Sequence, residues 1–311
     1  MRAIVTGGAG FIGSNIVDEL IALNHDVFII DNLSTGNFSN INSQAKFYQI
    51  DINSPKLSKV FEEIKPDVVF HLAAQVNVGK SIEDPINDEE INIRGTLNLL
   101  ENCRLHNVKR IIYSSSAAVY GIPNNLPINE EHFVNPISFY GISKLVPEMY
   151  IKTYSSLYGL KYAILRYSNV YGPRQDHRGE GGVISIFLNK VINRENLKVF
   201  GDGGQTRDFI YVNDVVSANI AVMDSETSGT FNISTRESIR INDLILIMTS
   251  LNHYQNEVVY EQHRSGDIVH SCLDNNLAIS SFKWTPKFSM EKGIKETFDY
   301  YLTLTPERQI N

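Results

Sequence analysis

The run Arg2-Ala3-Ile4-Val5-Thr6-Gly7-Gly8-Ala9-Gly10-Phe11-Ile12-Gly13 constrains this chain more than any other segment. A short apolar strand passes through a glycine turn directly into a helix, which is the opening unit of an α/β sheet. Gly7 permits the tight turn, Gly10 lets the backbone come close to a phosphate, and Gly13 lets helix and strand pack closely. The first N–H groups of the helix and its positive dipole end, with Phe11 and Ile12 in the first turn, face the same spot. Such a seat suits the pyrophosphate of a dinucleotide.

The residues that follow fit that seat. Apolar spacing at Ile12, Ile16, Leu20 and Leu23 predicts a helix over 11–23, and 26–31 reads as a second buried strand. Asp31 ends this strand, close to where an acidic side chain reaches the adenosine ribose. A carboxylate there accepts both ribose hydroxyls and repels a 2′-phosphate, so the expected cofactor is NAD rather than NADP. The segment Asp31-Asn32-Leu33-Ser34-Thr35-Gly36 is also strongly turn-like, and capping of that turn is the structural alternative for Asp31.

Strand and helix patterns alternate through the first half: strands at 46–51, 67–72, 110–116 and 162–167, helices at 57–64, 88–106 and 138–158. This alternation predicts a doubly wound parallel α/β sheet with helices on both faces. The acidic cluster Asp88-Glu89-Glu90 reads as the solvated first turn of its helix. Pro147 lies inside the 138–158 helix, where it removes a donor and crowds the Ser143 carbonyl, so a kink or loosened turn is expected there. Beyond Tyr171 the elements become shorter and mixed: helices near 183–191 and from 214, 242 and 290, strands near Val199 and Phe231. The expected division is a nucleotide domain over 1–170 plus roughly 207–233. A smaller mixed α/β lobe over 171–206 and 234–311 would close over the carboxyl ends of the strands.

Length and composition are compatible with this plan. A chain of 311 residues can hold one such domain and a lobe. No apolar run approaches the ~20 residues that span a bilayer, and no signal-like segment precedes the first strand. The net charge of −7 argues against nucleic acid as a partner. The two cysteines, Cys103 and Cys272, need not pair, which fits a reducing cytoplasm. The eight histidines lack metal-ligand spacing, and His71 reads as structural, so no metal is expected.

The chemistry concentrates in Tyr140-Gly141-Ile142-Ser143-Lys144. At i and i+4 the phenol and the ammonium share one helix face. A neighbouring cation favours phenolate, giving a proton acceptor from a group whose free pKa is about 10. The strand at 110–116 ends in Ser114-Ser115-Ser116, which delivers hydroxyls to the carboxyl edge of the sheet.

The glycine loop, the strand-end serines and the Tyr–Lys helix, in this order, resemble the extended short-chain dehydrogenase/reductase family, within it the nucleotide-sugar 4-epimerases. Further blocks carry the likeness: His71-Leu72-Ala73-Ala74-Gln75, Asn92-Ile93-Arg94-Gly95-Thr96, 166–175 and 203–209. The resemblance implies a Rossmann-type domain with Tyr140 as general base, Lys144 lowering its pKa and holding the nicotinamide ribose, and Ser116 bonded to the sugar 4-oxygen. It places Gly7, Gly10, Phe11, Ile12, Gly13, Asp31, Asn32, Ser34, Asp51, Ile52, Leu72, Ala73, Ala74, Asn92, Ser114 and Tyr167 around NAD. On the substrate side it implies Asn169, Arg207 and Arg264 at a UDP-sugar diphosphate, and Phe200 at the uracil. Asp267 falls at the ribose, with Val183 and Ser271 in the same site. Ser271 corresponds to the position that limits room at the sugar 2-substituent, and a serine there leaves space for an N-acetyl group. The implied reaction is redox-neutral 4-epimerisation of UDP-glucose and UDP-galactose through a 4-keto sugar. Related 4,6-dehydratases carry an Asp-Glu pair after the strand-end hydroxyl, and decarboxylases a Glu at the second position, where this chain has Ala117 and Ala118. Those lyases are the alternative, and a non-catalytic NAD-binding protein is a more distant one. The helices at 89–106 and 138–158 would form the four-helix homodimer interface common in this family.

Overall fold

The computed structural model describes residues 1–176, 182–252, 257–263 and 268–304. Its centre is a seven-stranded parallel sheet. In chain order the strands are β1 (Arg2–Thr6), β2 (Asp26–Asp31), β3 (Lys46–Gln49), β4 (Val68–His71), β5 (Arg110–Ser116) and β6 (Lys161–Tyr167), with Gly229–Ile233 last. Across the sheet the order is Gly229–Ile233, β6, β5, β4, β1, β2, β3. The chain therefore reverses its direction of travel at β1, and the crevice outside the ends of β1 and β4 is the switch point where such sheets bind ligands. Register places Thr6 beside both Ile30 and His71, so the glycine turn leaves the sheet at this crevice.

Both faces of the sheet are covered, which explains the near-continuous apolar strands. Ala3 and Val5 pack to one side with Ile16 and Leu20 of the Phe11–Ala22 helix and with Val215 and Val222. Ile4 points to the other side, with Phe61, Leu99, Leu100 and Ile151. The first of these cores continues without interruption into the later part of the chain through Tyr171, Phe187, Leu244, Trp284 and Phe298. Three two-stranded pairs lie there: Asn169–Tyr171 with Phe209–Tyr211, Leu197–Phe200 with Val258–Glu261, and Thr206–Arg207 with Ile239–Arg240.

Three local expectations are revised. The helix expected over 88–106 starts at Pro85, where the Asp84 side chain accepts the Asn87 N–H at 3.0 Å, and ends at Leu105. Its middle, Glu90–Arg94, is a widened π turn. Asp88 is not part of a solvated first turn: it is 1% exposed, because its helix face meets the Phe139–Tyr158 helix. The latter helix begins at the Ser138 cap and runs unbroken through Pro147 to Gly159, so the loosened turn is not found. Pro147 lies on the buried face of that helix.

Candidate active site

The glycine turn is built as close backbone packing. Gly7 has φ +69°, and a Cβ there would stand 2.7 Å from the Ala73 nitrogen. A Cβ on Gly13 would stand 2.2 Å from the Gly7 carbonyl oxygen. The Phe11–Ala22 helix has Gly10 at its N-cap and no side chain capping it. Its first-turn N–H groups, which have no partner within the helix, are therefore presented to an anion. Asp31 is 7% exposed and accepts the N–H groups of Ala9 at 3.0 Å and Leu33 at 2.8 Å. It thus caps the turn and braces the glycine loop at once. Beside it the Asn32 amide donates to Asp51 at 2.7 Å. Asn32, Ser34, Asp51, Asn53, Asn87 and Glu90 line a polar cavity of about 540 Å³. An uncapped helix start, a cradle that side chains would fill and a polar cavity beyond Asp31 together fit a dinucleotide.

Beneath this seat lies a buried polar chain. The His71 ring bonds the Thr6 hydroxyl through Nδ1 and the Thr96 hydroxyl through Nε2, each at 2.8 Å. The Thr96 hydroxyl donates to the Asn92 carbonyl at 2.6 Å, so it accepts from Nε2–H. Thr6 Oγ1 also accepts the N–H groups of Leu72 and Ala73, each at 3.2 Å. Burial, aided by the Lys144 charge, brings the His71 pKa down to about 3. His71 is a neutral strut that holds the Leu72–Ala73 segment against the glycine loop, as the structural reading expects. Ala74 follows, partly exposed, and Ile52 is buried against Gly95.

Ser116, Tyr140 and Lys144 meet at the carboxyl end of β5, two strands from β1. Ser116 Oγ accepts the Ala118 N–H at 3.2 Å and lies beside the Tyr140 phenol. A Cβ on Gly141 would stand 2.8 Å from the Ala118 carbonyl oxygen, so this glycine lets the helix come down onto the serine loop. The Tyr140 N–H donates to Ser81 Oγ at 3.1 Å. Lys144 is 3% exposed; its Nζ donates to the Ser114 carbonyl at 2.6 Å and lies 4.9 Å from the centre of the Tyr113 ring. Burial lowers the Lys144 pKa to about 8 against the upward pull of Asp88 and Glu148. Tyr140 differs from expectation, its pKa being raised rather than lowered. Burial dominates, the neighbouring Ser116 hydroxyl opposes it, and the Asp88 charge adds to it. The Lys144 ammonium is turned to the Ser114 carbonyl instead.

Around Asn92, expected at the cofactor, stand three polar residues to which the sequence assigned no role in the site: Gln75, Asp88 and Ser143. Asn92, 2% exposed, spends its amide on the protein: Nδ2 donates to the Gln75 carbonyl at 2.9 Å and to Ser143 Oγ at 2.9 Å. Its Oδ1 accepts the Gln75 N–H at 2.8 Å. Asp88 Oδ1 accepts from Gln75 Nε2 at 2.7 Å and Asn92 Nδ2 at 3.2 Å. The signal that could have found Asp88 was its spacing of four from Asn92, which puts both on one helix face. Tyr167 is buried with its hydroxyl held by Asn219 Nδ2 at 2.8 Å.

On the substrate side, Asn169 is exposed and its N–H donates at 2.9 Å to the carbonyl of Asp208, the residue that follows Arg207. Arg207 Nη1 donates to the carbonyls of Thr206 at 2.9 Å and Val269 at 3.3 Å. The Ser271 N–H reaches the same Thr206 carbonyl at 3.3 Å, so Arg207 and Ser271 share one edge. Phe200 ends its strand half-buried, and Val183 opens the Val183–Asn193 helix. Arg264 and Asp267 lie outside the described residues. Among the described residues, no group of three or more His, Cys, Asp or Glu is placed to hold a metal ion.

Comparison with known proteins agrees with this geometry. Residues 3–234 match the NAD dependent epimerase/dehydratase family, and the chain belongs to that family. A protein of Methanocaldococcus jannaschii, provisionally named a UDP-glucose 4-epimerase, is 47% identical over 298 residues, covering 96% of this chain and 97% of its own. The solved UDP-glucose 4-epimerase of Thermotoga maritima, holding UDP-glucose, superposes with a TM-score of 0.96 at 42% identity over 98% of this chain and 100% of its own. The UDP-N-acetylglucosamine 4-epimerase of Methanobrevibacter ruminantium, in complex with UDP-N-acetylmuramic acid, gives 0.94 at 37% identity, over 97% and 98%.

Proposed function

We propose that this chain is an NAD-dependent isomerase that inverts C4 of a UDP-hexose, with UDP-glucose and UDP-galactose as its pair. The observation that carries the reading is the Ser116 hydroxyl beside the Tyr140 phenol with Lys144 one turn on, at the sheet edge that also holds the glycine loop. The next residues, Ala117 and Ala118, open a short 3-10 turn and offer no acid or base for elimination or decarboxylation. That favours epimerisation over the lyase chemistries.

Bound NAD supplies a hydride acceptor that returns what it takes, and Gly7, Gly10, Gly13, Asp31, Asn32 and Asp51 are the residues that would hold it. Tyr140 Oη takes the proton of the sugar 4-hydroxyl and later gives it back, with Ser116 Oγ passing it and orienting the oxygen. The Lys144 ammonium favours the phenolate that Tyr140 must be before it takes this proton. Arg207, Arg264 and Asn169 grip the diphosphate, guanidinium forks suiting phosphate oxygens. Anchoring by the nucleotide leaves the hexose free to present either face of its 4-keto form.

The nucleotide domain comprises 1–170 and roughly 207–233, and the remainder is the substrate lobe. The small Ser271 and the likeness to a UDP-N-acetylglucosamine 4-epimerase support acceptance of N-acetylated sugars as well. Exposed Ile142, Met149, Tyr150 and Leu157 form a stripe at spacings of seven along the Phe139–Tyr158 helix, which supports a homodimer through this face. The unpaired, buried Cys103 and Cys272 support a reducing, cytoplasmic setting, and a UDP-glucose/UDP-galactose pair puts the reaction in galactose metabolism. The test is incubation with UDP-galactose and, separately, UDP-N-acetylgalactosamine, followed by NMR of the C4 epimers. Epimer from UDP-galactose supports the reading; none from either, with NAD bound, overturns it. Turnover of UDP-galactose alone removes the N-acetyl extension.

A further inference from the structure

The segment 269–275 spends its backbone polar groups on both sides of the site. At its start the Val269 carbonyl accepts the Thr206 N–H at 3.0 Å, and the Ser271 N–H donates to the Thr206 carbonyl at 3.3 Å. Ser271 is thereby joined to the strand of Arg207. Further on, the Cys272 carbonyl accepts the Ile128 N–H at 2.8 Å, and the Asp274 N–H donates to the Ile128 carbonyl at 2.7 Å. Leu273 between them is fully buried in a small core with Val119 and Tyr120, which close the turn begun by Ser116.

One side chain reaches all of these pieces. Asn232, fully buried on the Gly229–Ile233 strand, donates from Nδ2 to the Ile128 carbonyl at 2.9 Å and to the Asp274 carbonyl at 3.1 Å. Its Oδ1 accepts the Tyr120 hydroxyl at 2.7 Å. Asp208 Oδ2 and Ser234 Oγ also hold Leu273, at 3.0 and 3.1 Å, but of the three only Asn232 reaches Tyr120 as well. The Arg166 guanidinium carbon stands 4.8 Å from the centre of the Tyr120 ring, and Arg166 is paired with Glu148 on the Phe139–Tyr158 helix. A buried line therefore runs from the helix of Tyr140 and Lys144, through Arg166, Tyr120 and Asn232, to the segment carrying Ser271. With both ends of its amide engaged, Asn232 cannot shift without leaving buried polar groups unpaired.

We propose that Asn232 is a positioning residue of this site: through Tyr120, Ile128 and Asp274 it sets where the Ser271 segment stands relative to Ser116, and so where the hexose meets Tyr140. This rests on the reading given above, in which Arg207 and Ser271 face the UDP-sugar while Ser116 and Tyr140 face its C4. Arg207 and Ser271 share one backbone edge, so they move together when the segment is released. The nucleotide then keeps its grip while the hexose loses its register against the proton acceptor. That loss falls on the chemical step, because a small misplacement of reacting atoms lowers the rate far more than it lowers binding.

The experiment compares NAD-loaded parent, Asn232→Leu, Tyr120→Phe and Phe61→Leu, the last a core change in the Leu57–Ile64 helix outside this line. It reads kcat on UDP-galactose, the Kd of UDP by calorimetry, and the urea midpoint. Asn232→Leu is expected to lower kcat about 10–100-fold while the Kd of UDP stays within about twofold. Tyr120→Phe, which loses only the hydroxyl, lowers kcat in the same direction by less. Phe61→Leu lowers the urea midpoint and keeps the parental kcat. Parental kcat in a folded Asn232→Leu protein overturns the proposal, as does a fall in UDP affinity equal to the fall in kcat. A matching kcat loss in Phe61→Leu overturns it too, since destabilisation alone would then account for the effect. Should Asn232→Leu not fold, Tyr120→Phe decides, and parental kcat there overturns the proposal. A parent that leaves UDP-galactose unchanged removes the site reading and this proposal together; an active parent with unaffected variants removes this proposal alone.

Discussion

At the scale of single residues, burial pulls the two members of the Tyr140–Lys144 pair in opposite directions, the phenol up and the ammonium down to about 8. Tyr140→Phe keeps the ring and loses the proton acceptor. We expect kcat to fall by about 10²–10⁴ with the melting temperature unchanged, checked by steady-state assay and calorimetry. His71 makes a second residue-scale prediction. Its folded pKa is depressed to about 3 against an ordinary value of 6.5, so its contribution to stability is complete above 6.5 and is lost as pH falls toward 3. The full effect is about 5 kcal/mol by linkage. Urea midpoints should fall over that window, and fall less steeply in His71→Gln, whose amide takes no proton; equal slopes would contradict the assignment. Ser116, Tyr140 and Lys144 were readable because a strand end and an i, i+4 spacing are local facts. Asp88 was not, because an acidic triplet reads the same whether its first member faces solvent or a neighbouring helix.

At the scale of elements, the Phe139–Tyr158 helix is held to the sheet by charge as well as packing. Glu148, one turn beyond Lys144, accepts Ser115 Oγ at 2.6 Å, Arg166 Nε at 3.0 Å and Arg166 Nη2 at 2.6 Å. This joins β5, β6 and the helix directly beneath the site. Glu148→Ala should cost about 3–5 kcal/mol in urea unfolding, because it strands a buried guanidinium. A loss below ~1 kcal/mol would show that water or another acceptor reaches Arg166. Boundaries of the long helices were close to their sequence readings, since apolar spacing and the Ser138 cap are local. The π turn at Glu90–Arg94 and the smooth passage through Pro147 were not, since both depend on what packs against the helix.

At the scale of the whole molecule, the exposed stripe on the Phe139–Tyr158 helix predicts assembly. A Met149→Glu, Leu157→Glu protein should sediment as a monomer where the parent sediments as a dimer, with the NAD site intact; a parent that is monomeric at every concentration would remove the dimer reading. The parallel sheet and its helical cover were set by the sequence, because short continuous apolar runs, period-3.6 burial and glycine turns are written within a few residues of one another. So was part of the cofactor seat: Gly10 and Gly13 are required by contacts with Gly7 three and six residues away, whereas the contact of Gly7 with Ala73 is made by the fold. The tertiary structure decided what lies between distant segments. It gathered Asp88, Gln75 and Asn92 into one hydrogen-bonded cluster, turned Lys144 to the Ser114 carbonyl, and joined one face of the sheet to the core of the later part of the chain. Local patterns determine which face of an element is apolar; only packing determines which charges share a low-dielectric interior, and that is where the ionisation of this site is set.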